Sequence, residues 1–287
     1  MSRIAYVNGR FVPHSHAEVH VEDRGYQFAD GVYEVVLVQN GVMVDEIPHL
    51  ERLDRSLDEL RIPHPMSRGA LRAQMRELVR QNRIRNGLVY MQVTRGVAKR
   101  DHPFPKNAKP SIVMTAKRIA MATPEAVENG VKVITIKDIR WERCDIKSIA
   151  LLPNVLGKQQ ARENGAFEAW QVDEDGKVTE GTSSNAWIVT QDGELVTRPA
   201  TNDILNGITR MSILKLADRQ GLKFVERPFS VEEAKSAREA FVSSATAFVT
   251  PVTQIDDTVI GNGKAGSLSR GLRDSYMDYA AGEGATA

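Results

Sequence analysis

Val32-Tyr-Glu-Val-Val-Leu-Val38, stopped at Asn40-Gly41 and resumed at Val42 to Val44, is the stretch on which the reading of the fold turns. β-Branched side chains are stiff at χ1 and favour extended backbone, while an Asn-Gly pair supplies two positions tolerant of positive φ. Run, turn and run therefore predict a hairpin. The same grammar stands upstream, where Ile4 to Val7, Asn8-Gly9 and Phe11-Val12 form a second strand, turn and strand. Downstream the period changes. Leu50, Leu53, Leu57 and Leu60 recur at helical spacing as one apolar stripe, and Leu71, Met75, Leu78 and Val79 share the face of another helix. Leu88 to Thr94 and Ile112 to Ala116 return to the pattern of buried strands.

A boundary is expected near Lys117 to Thr123, because Thr123-Pro124-Glu125 offers an N-cap followed by proline at the first helical position. Beyond it the spacing predicts a strand over Val131 to Ile136 and a helix over Leu156 to Asn164, closed by Gly165. Phe167 to Trp170 and Lys177 to Glu180 flank the turn-like Asp173-Glu-Asp-Gly176. Ile188-Val189 and Leu195 to Thr197 flank a second turn at Asp192-Gly193. Ile213, Leu214, Leu216 and Ala217 mark a further helix, and Ser230-Val-Glu-Glu233 reads as a capping box. Leu268, Leu272 and Tyr276 place a closing helix, followed by an AAGEGATA tail expected to be mobile. Hairpins outnumber βαβ units, which gives an α+β (mixed α/β) fold with hairpin-rich sheets and flanking helices. Two domains are expected: a small N-terminal one over 1–118, a linker over 119–123, and a larger C-terminal one over 124–287.

Composition excludes more than it identifies. Lys and Arg number 38 against 37 Asp and Glu, a formal net charge of +1, and no basic cluster calls for a nucleic-acid or acidic-membrane partner. Apolar residues make up 41% of the 287 positions, enough for a sizeable core. Cys144 is the only cysteine, so no intrachain disulfide can form, which fits a reducing compartment. Neither a signal-peptide stretch nor a bilayer-length apolar run is present, so the expectation is a soluble, cytoplasmic protein. His14 and His16 share a face if extended but have no third ligand, and no metal site is expected.

Taken singly, the candidate chemical residues each admit a bland reading. Lys147 follows a strand in Arg140-Trp-Glu-Arg-Cys-Asp-Ile-Lys147-Ser. A lysine that forms a Schiff base must be neutral for part of its cycle, and Arg140 and Arg143 are local cations that would lower its pKa. Out of context it reads equally as a solvated loop lysine. Glu180-Gly-Thr-Ser-Ser-Asn185 leaves a strand for a polar loop, where a carboxylate could hold a pyridinium nitrogen protonated, or simply end a turn. Asn206-Gly-Ile-Thr-Arg210 opens a helix whose first N–H groups make an anion site, with Ser243-Ser-Ala-Thr246 as a source of hydroxyls. Arg52 stands off the leucine stripe and alone reads as solvated. Arg100-Asp-His102 lies in a loop where arginine is suited to bidentate carboxylate capture but also to plain surface charge.

Order and spacing are more specific than any one signal. Glu22-Asp-Arg-Gly-Tyr-Gln-Phe-Ala-Asp-Gly-Val-Tyr33-Glu, Val93-Thr-Arg-Gly96, Asp145-Ile-Lys147-Ser, Thr179-Glu-Gly-Thr-Ser-Ser-Asn185, Gly207-Ile-Thr-Arg210 and Ser243-Ser-Ala-Thr246 together resemble the class IV (fold-type IV) pyridoxal-phosphate-dependent aminotransferases, over roughly Tyr6 to Tyr279. Within that family Arg100-Asp-His102 is most similar to the D-alanine (D-amino acid) aminotransferases. Branched-chain L-amino acid aminotransferases and aminodeoxychorismate lyases share the cofactor motifs but not that pair, and remain the alternatives. A non-catalytic cofactor-binding protein is disfavoured by the presence of both Lys147 and Glu180.

The resemblance implies a set of roles. Lys147 carries pyridoxal 5′-phosphate and shuttles the proton. Glu180 pairs with the ring nitrogen, Leu205 packs on the ring, and Arg52, the Ile208 and Thr209 amides and Ser244 bind the phosphate. Tyr33, Arg100 and His102 trap the substrate carboxylate, the last two across a homodimer interface. The C-terminal domain would carry most of the cofactor site. Two departures stand out: Ala245 replaces an expected threonine, and the segment between Lys147 and Glu180 is slightly longer than usual.

Overall fold

The computed structural model describes residues 3–285. The chain divides into two compact units. The first comprises the chain up to Ala120 together with Ile146–Ala150 and the segment from Ala280; the second comprises Met121–Asp145 and Leu151–Tyr279. The short stretch around Lys147 thus groups with the N-terminal unit, although a division at 119–123 assigns it to the C-terminal one.

The first unit is built on β1 (Ile4–Val7), β2 (Arg10–Pro13), α1 (Arg24–Phe28), β3 (Gly31–Gln39), β4 (Val42–Met43), α2 (Glu46–Glu59), α3 (Arg68–Gln81), β5 (Gly87–Thr94) and β6 (Ser111–Arg118). Its six strands lie in the order β2-β1-β6-β5-β3-β4, with every pairing antiparallel. The two Asn-Gly turns form as expected: Asn8 and Gly9 have φ of 45° and 94°, Asn40 and Gly41 of 53° and 84°. Val32, Val36, Leu50, Leu53, Leu57, Met75, Leu78, Val89, Met91 and Met114 are fully buried, so the leucine stripe of α2 and the face of α3 cover the sheet. Each such side chain contributes about 1.5–3 kcal/mol relative to exposure. Leu60, the fourth member of the stripe, is the C-cap residue of α2 and only partly buried.

The second unit runs α4 (Pro124–Asn129), β7 (Val131–Lys137), α5 (Leu152–Glu163), β8 (Glu168–Val172), β9 (Val178–Gly181), β10 (Asn185–Val189), β11 (Leu195–Thr197), α6 (Ile208–Arg219), β12 (Phe224–Glu226), α7 (Val231–Lys235), β13 (Glu239–Ser244), β14 (Phe248–Ile255), β15 (Thr258–Val259) and α8 (Ser267–Ala281) up to Tyr279. A mixed sheet follows the order β12-β11-β10-β13-β14-β7-β8-β9, with β15 on β14. Thr123 caps α4 through its side chain and Ser230 accepts from the Glu233 N–H at 3.1 Å, as the capping signals imply. Trp170, Val178, Ile188, Val196, Phe229, Val242 and Val252 form the core, with the Trp170 and Phe229 rings edge to face at 6.1 Å.

Two differences from the sequence reading have physical causes. The spacing does not predict β14, because Pro251 interrupts it. In the sheet Pro251 faces Phe241, and a register shift at Val252/Gln254 accommodates the irregularity between neighbours β13 and β7. The tail, expected to be mobile, forms a 3-10 turn over Glu283–Ala285, and the buried Gly284 carbonyl accepts from the Asp45 N–H at 2.9 Å. An otherwise unmade backbone bond at the start of α2 fixes it. Residues 286 and 287 of that tail lie outside the described ones.

Candidate active site

In the first unit, β3 sets the position of three candidates. Alternation along the strand turns Glu34 to the covered side with Val32 and Val36, and Tyr33 to the other. The Tyr33 N–H donates to the Lys147 carbonyl at 2.9 Å and the Ile149 N–H to the Gly31 carbonyl at 3.0 Å, so Ile146–Ala150 runs along β3 like a short extra strand. Ser56 Oγ of α2 accepts from the Lys147 N–H at 3.3 Å. Lys147 Nζ consequently lies 4.3 Å from the centroid of the Tyr33 ring. The lysine is half-buried and forms no ion pair among the described residues. Tyr33 packs on Tyr90 at 5.8 Å, and burial foremost, with Tyr33 beside it, pushes the Tyr90 phenol up to about 12.

Arg52 is not the solvated arginine that its place off the stripe suggests. Its Nε and Nη2 donate to the two oxygens of Glu34 at 2.7 and 2.8 Å, and His49 Nδ1 lies 2.7 Å from the same carboxylate. Burial alone would favour neutral Glu34, yet Arg52 and His49 outweigh it and hold its carboxyl well below the usual range. A charge buried at a strand position needs a cation from the covering helix, and α2 supplies it. The same contact fixes the direction of the Arg52 guanidinium.

The Arg100 and His102 side chains are exposed and meet at one ring: the Arg100 guanidinium lies 4.9 Å from the centroid of Phe28, and the His102 ring 5.6 Å from it.

In the second unit, Asn185 is the organising residue. Its Nδ2 donates to Glu180 at 3.0 Å and to the Leu205 carbonyl at 2.9 Å, while the Leu205 N–H donates to both Glu180 oxygens at 3.2 Å. Its Oδ1 stands where a Cβ on Gly207 would fall, which explains the glycine at the entrance to α6. No side chain caps α6, and the buried Ile208 and Thr209 N–H groups have no acceptor among the described residues. Ser243 and Asn185 are direct cross-strand partners, but the Ser243 hydroxyl is taken by the Trp187 indole N–H at 2.9 Å. Ser244 Oγ accepts the Ala247 N–H at 3.0 Å and lies 3.2 Å from Thr246 Oγ1, so at Ala245 the turn keeps two hydroxyls nearby.

The two local arginines are committed to carboxylates. Arg140 bridges Asp138 and Glu180, and Arg143 binds Asp145 at 3.0 Å. Glu180, 6% exposed, is thus a carboxylate surrounded by donors. Sequence reasoning missed Glu168. Fully buried, it accepts from Ser183 Oγ at 2.9 Å, Ser184 Oγ at 3.0 Å and Thr182 Oγ1, pinning the loop between Glu180 and Asn185. Only the abundance of small hydroxyl residues in that loop hinted at such an acceptor.

The first unit thus offers a half-buried lysine, and the second, taken by itself, a buried carboxylate ringed by donors and an uncapped helix start; these are the kinds of group that can bind an aldehyde, a ring nitrogen and a phosphate. The family model for class IV amino-transferases matches residues 31–255. A D-alanine aminotransferase of Bacillus licheniformis is 44% identical over 272 residues, 94% of this chain and 95% of that protein. One of Staphylococcus aureus is 44% identical over 275 residues, 96% of each. Among solved structures, a T.th. branched-chain amino acid aminotransferase with pyridoxamine 5′-phosphate superposes with a TM-score of 0.91 at 28% identity, covering 98% of this chain and 95% of that one. The Escherichia coli branched-chain enzyme gives 0.90 at 25% identity, with the same coverage. By motif order, fold and sequence identity together, the chain belongs to the class IV aminotransferases.

Proposed function

We propose that the chain is a pyridoxal-phosphate-dependent D-amino acid aminotransferase, converting D-alanine and 2-oxoglutarate to pyruvate and D-glutamate. The observation that carries the catalytic assignment is Lys147 Nζ, held 4.3 Å from the centroid of the Tyr33 ring and in no ion pair among the described residues. The D-substrate is supported by relatives named D-alanine aminotransferases at 44% identity, against 25–28% for the branched-chain structures. The branched-chain reading is the alternative.

When bound, pyridoxal phosphate supplies an electron sink that stabilises the charge left when the substrate's α-proton departs. Lys147 would hold the cofactor through its amine, and the same amine would carry that proton. Glu180 accepts the hydrogen bond of the ring nitrogen, and its own donors Asn185 and the Leu205 N–H keep it in place. Leu205 packs on the ring. The Ile208 and Thr209 N–H groups, Ser244 Oγ and the guanidinium of Arg52 bind the phosphate. Tyr33, Arg100 and His102 hold the substrate carboxylate, with the loop bearing Arg100 and His102 contributed to a partner in a homodimer. Handedness would follow from how the substrate is held, since Lys147 would take the α-proton from one fixed side. Exchanging carboxylate and side chain then exchanges D for L, so the carboxylate grip selects the enantiomer. The homodimer and a cytoplasmic location rest on the resemblance and on the reading of the sequence.

The test is a half-reaction. D-Alanine and L-alanine are added separately to cofactor-loaded enzyme while its visible absorbance is followed. Bleaching by D-alanine alone, restored by 2-oxoglutarate, is the expected result. Bleaching by L-amino acids alone moves the substrate to the branched-chain alternative.

A further inference from the structure

We propose that Arg24 is a positioning residue for substrate binding, acting by fixing the loop that carries Arg100 and His102; the proposal rests on the carboxylate reading of those two residues. Between β5 and β6 the chain from Val97 to Pro110 contains no helix or strand; backbone pairing holds only its start, where Val97 bridges Asp23 and the Ala98 N–H donates to the Glu22 carbonyl at 3.3 Å, so the part bearing Arg100 and His102 needs another anchor. Arg24 does so from α1. Its guanidinium is buried and donates to three acceptors: Nε to Asp30 Oδ2 at 2.7 Å, Nη1 to the Asp101 carbonyl at 2.6 Å and Nη2 to the His102 carbonyl at 3.2 Å.

Two successive carbonyls gripped by one rigid fork fix the peptide plane between residues 101 and 102, and with it the direction in which the flanking side chains leave the loop. The same guanidinium stacks 4.8 Å from the Phe28 centroid, and Phe28 is the ring on which Arg100 and His102 both rest. Asp30 is in turn fixed by Arg95, through Nε at 2.7 Å and Nη2 at 3.0 Å. Arg95 also underlies Phe104 of the loop at 3.6 Å. Arg24 grips the loop by its backbone carbonyls, and its effect on substrate passes through the loop. A lysine at this position would keep a charge beside Asp30 but could not reach both carbonyls.

The experiment compares holoenzymes carrying Arg24→Lys, Phe28→Leu, Arg100→Ala with His102→Ala, and Arg24→Lys in that double background. Phe28→Leu removes no charged group and leaves the Arg24 hydrogen-bond partners in place, and so guards against a folding failure of the arginine variant. For each, the KM for D-alanine, kcat, the inhibition constant of propionate (a plain carboxylate) and the cofactor bound per chain are measured. Displacing a gripping residue by about an ångström is worth roughly ten- to a hundredfold. Arg24→Lys should therefore raise KM and the propionate constant together by about tenfold or more, with kcat and bound cofactor near the parent, and Phe28→Leu should move both in the same direction. In the Arg100→Ala/His102→Ala background Arg24→Lys should add less than about twofold, because the residues share one route. Parental KM and propionate constants in both Arg24→Lys and Phe28→Leu overturn the proposal, as does a full additional loss in the double background. If Arg100→Ala with His102→Ala leaves both constants unchanged, the carboxylate reading itself falls and takes the proposal with it.

Discussion

Replacing Glu34 with glutamine exchanges a fully buried carboxylate for a neutral amide of nearly the same shape. In the parent both oxygens are used: Arg52 donates to them at 2.7 and 2.8 Å, and His49 Nδ1 lies at 2.7 Å. Glutamine keeps one acceptor, turns a second donor toward donors, and removes the buried negative charge opposite a guanidinium only 10% exposed. Breaking a buried pair from one side costs about 3–5 kcal/mol, and the surviving amide bond offsets about 1, leaving roughly 2–4 kcal/mol. At about 2–4 °C per kcal/mol the melting temperature should fall by roughly 5–15 °C. Thermal unfolding by circular dichroism, on protein stripped of cofactor so that ligand binding does not enter, measures this. Glu34→Leu with Arg52→Met removes both charges and should recover more than half of the loss, since two apolar groups of similar volume leave no uncompensated ion. A Glu34→Gln midpoint within about 2 °C of the parent, or a double variant at least as damaged as the single one, would refute the reasoning.

Lys147→Ala should abolish steady transamination while the fold persists; measurable turnover under a coupled pyruvate assay contradicts the role given to it. Gly207→Ala places a Cβ on Asn185 Oδ1 and must shift the start of α6, so cofactor affinity should drop about tenfold, read by fluorescence titration of cofactor-free protein. Burial, opposed by Arg140 and reinforced by nearby carboxylates, pushes the Cys144 thiol up to about 12, so at pH 8 an alkylating reagent should modify it roughly a thousandfold more slowly than a free cysteine. Rapid labelling of native protein would be inconsistent with that environment. Burial also holds His49 below its usual ~6.5, against the pull of Glu34. The unfolded chain therefore binds this proton first, and stability should decline as pH falls below ~6.5. Glu34, whose pKa is lowered, adds a second decline below ~4.3. Urea midpoints that stay flat between pH 7 and 5.5 would remove His49 from the account.

Much of this protein is written in local sequence. Asn8-Gly9 and Asn40-Gly41 specify their hairpins because positive φ is a property of two adjacent residues, and the α2 stripe follows from a period of 3.6. The capping box at Ser230 and Glu233 needs only four residues. Motif order along the chain was sufficient to place the family, and with it Lys147 and Glu180 as candidates. Tertiary structure alone decided the partners of the buried charges. Glu34 and Arg52 are 18 residues apart, Glu168 and Ser184 16, and Arg24 and the His102 carbonyl 78, and no local period encodes such pairings. It also decided that Pro251 sits inside a strand, because a sheet can absorb one missing donor at an irregularity while a sequence pattern registers only the interruption. Side-chain period and turn chemistry act over a few residues and are readable in one dimension. The compensation of a buried charge is a three-dimensional requirement, met by whichever residue the packing brings within about 3 Å.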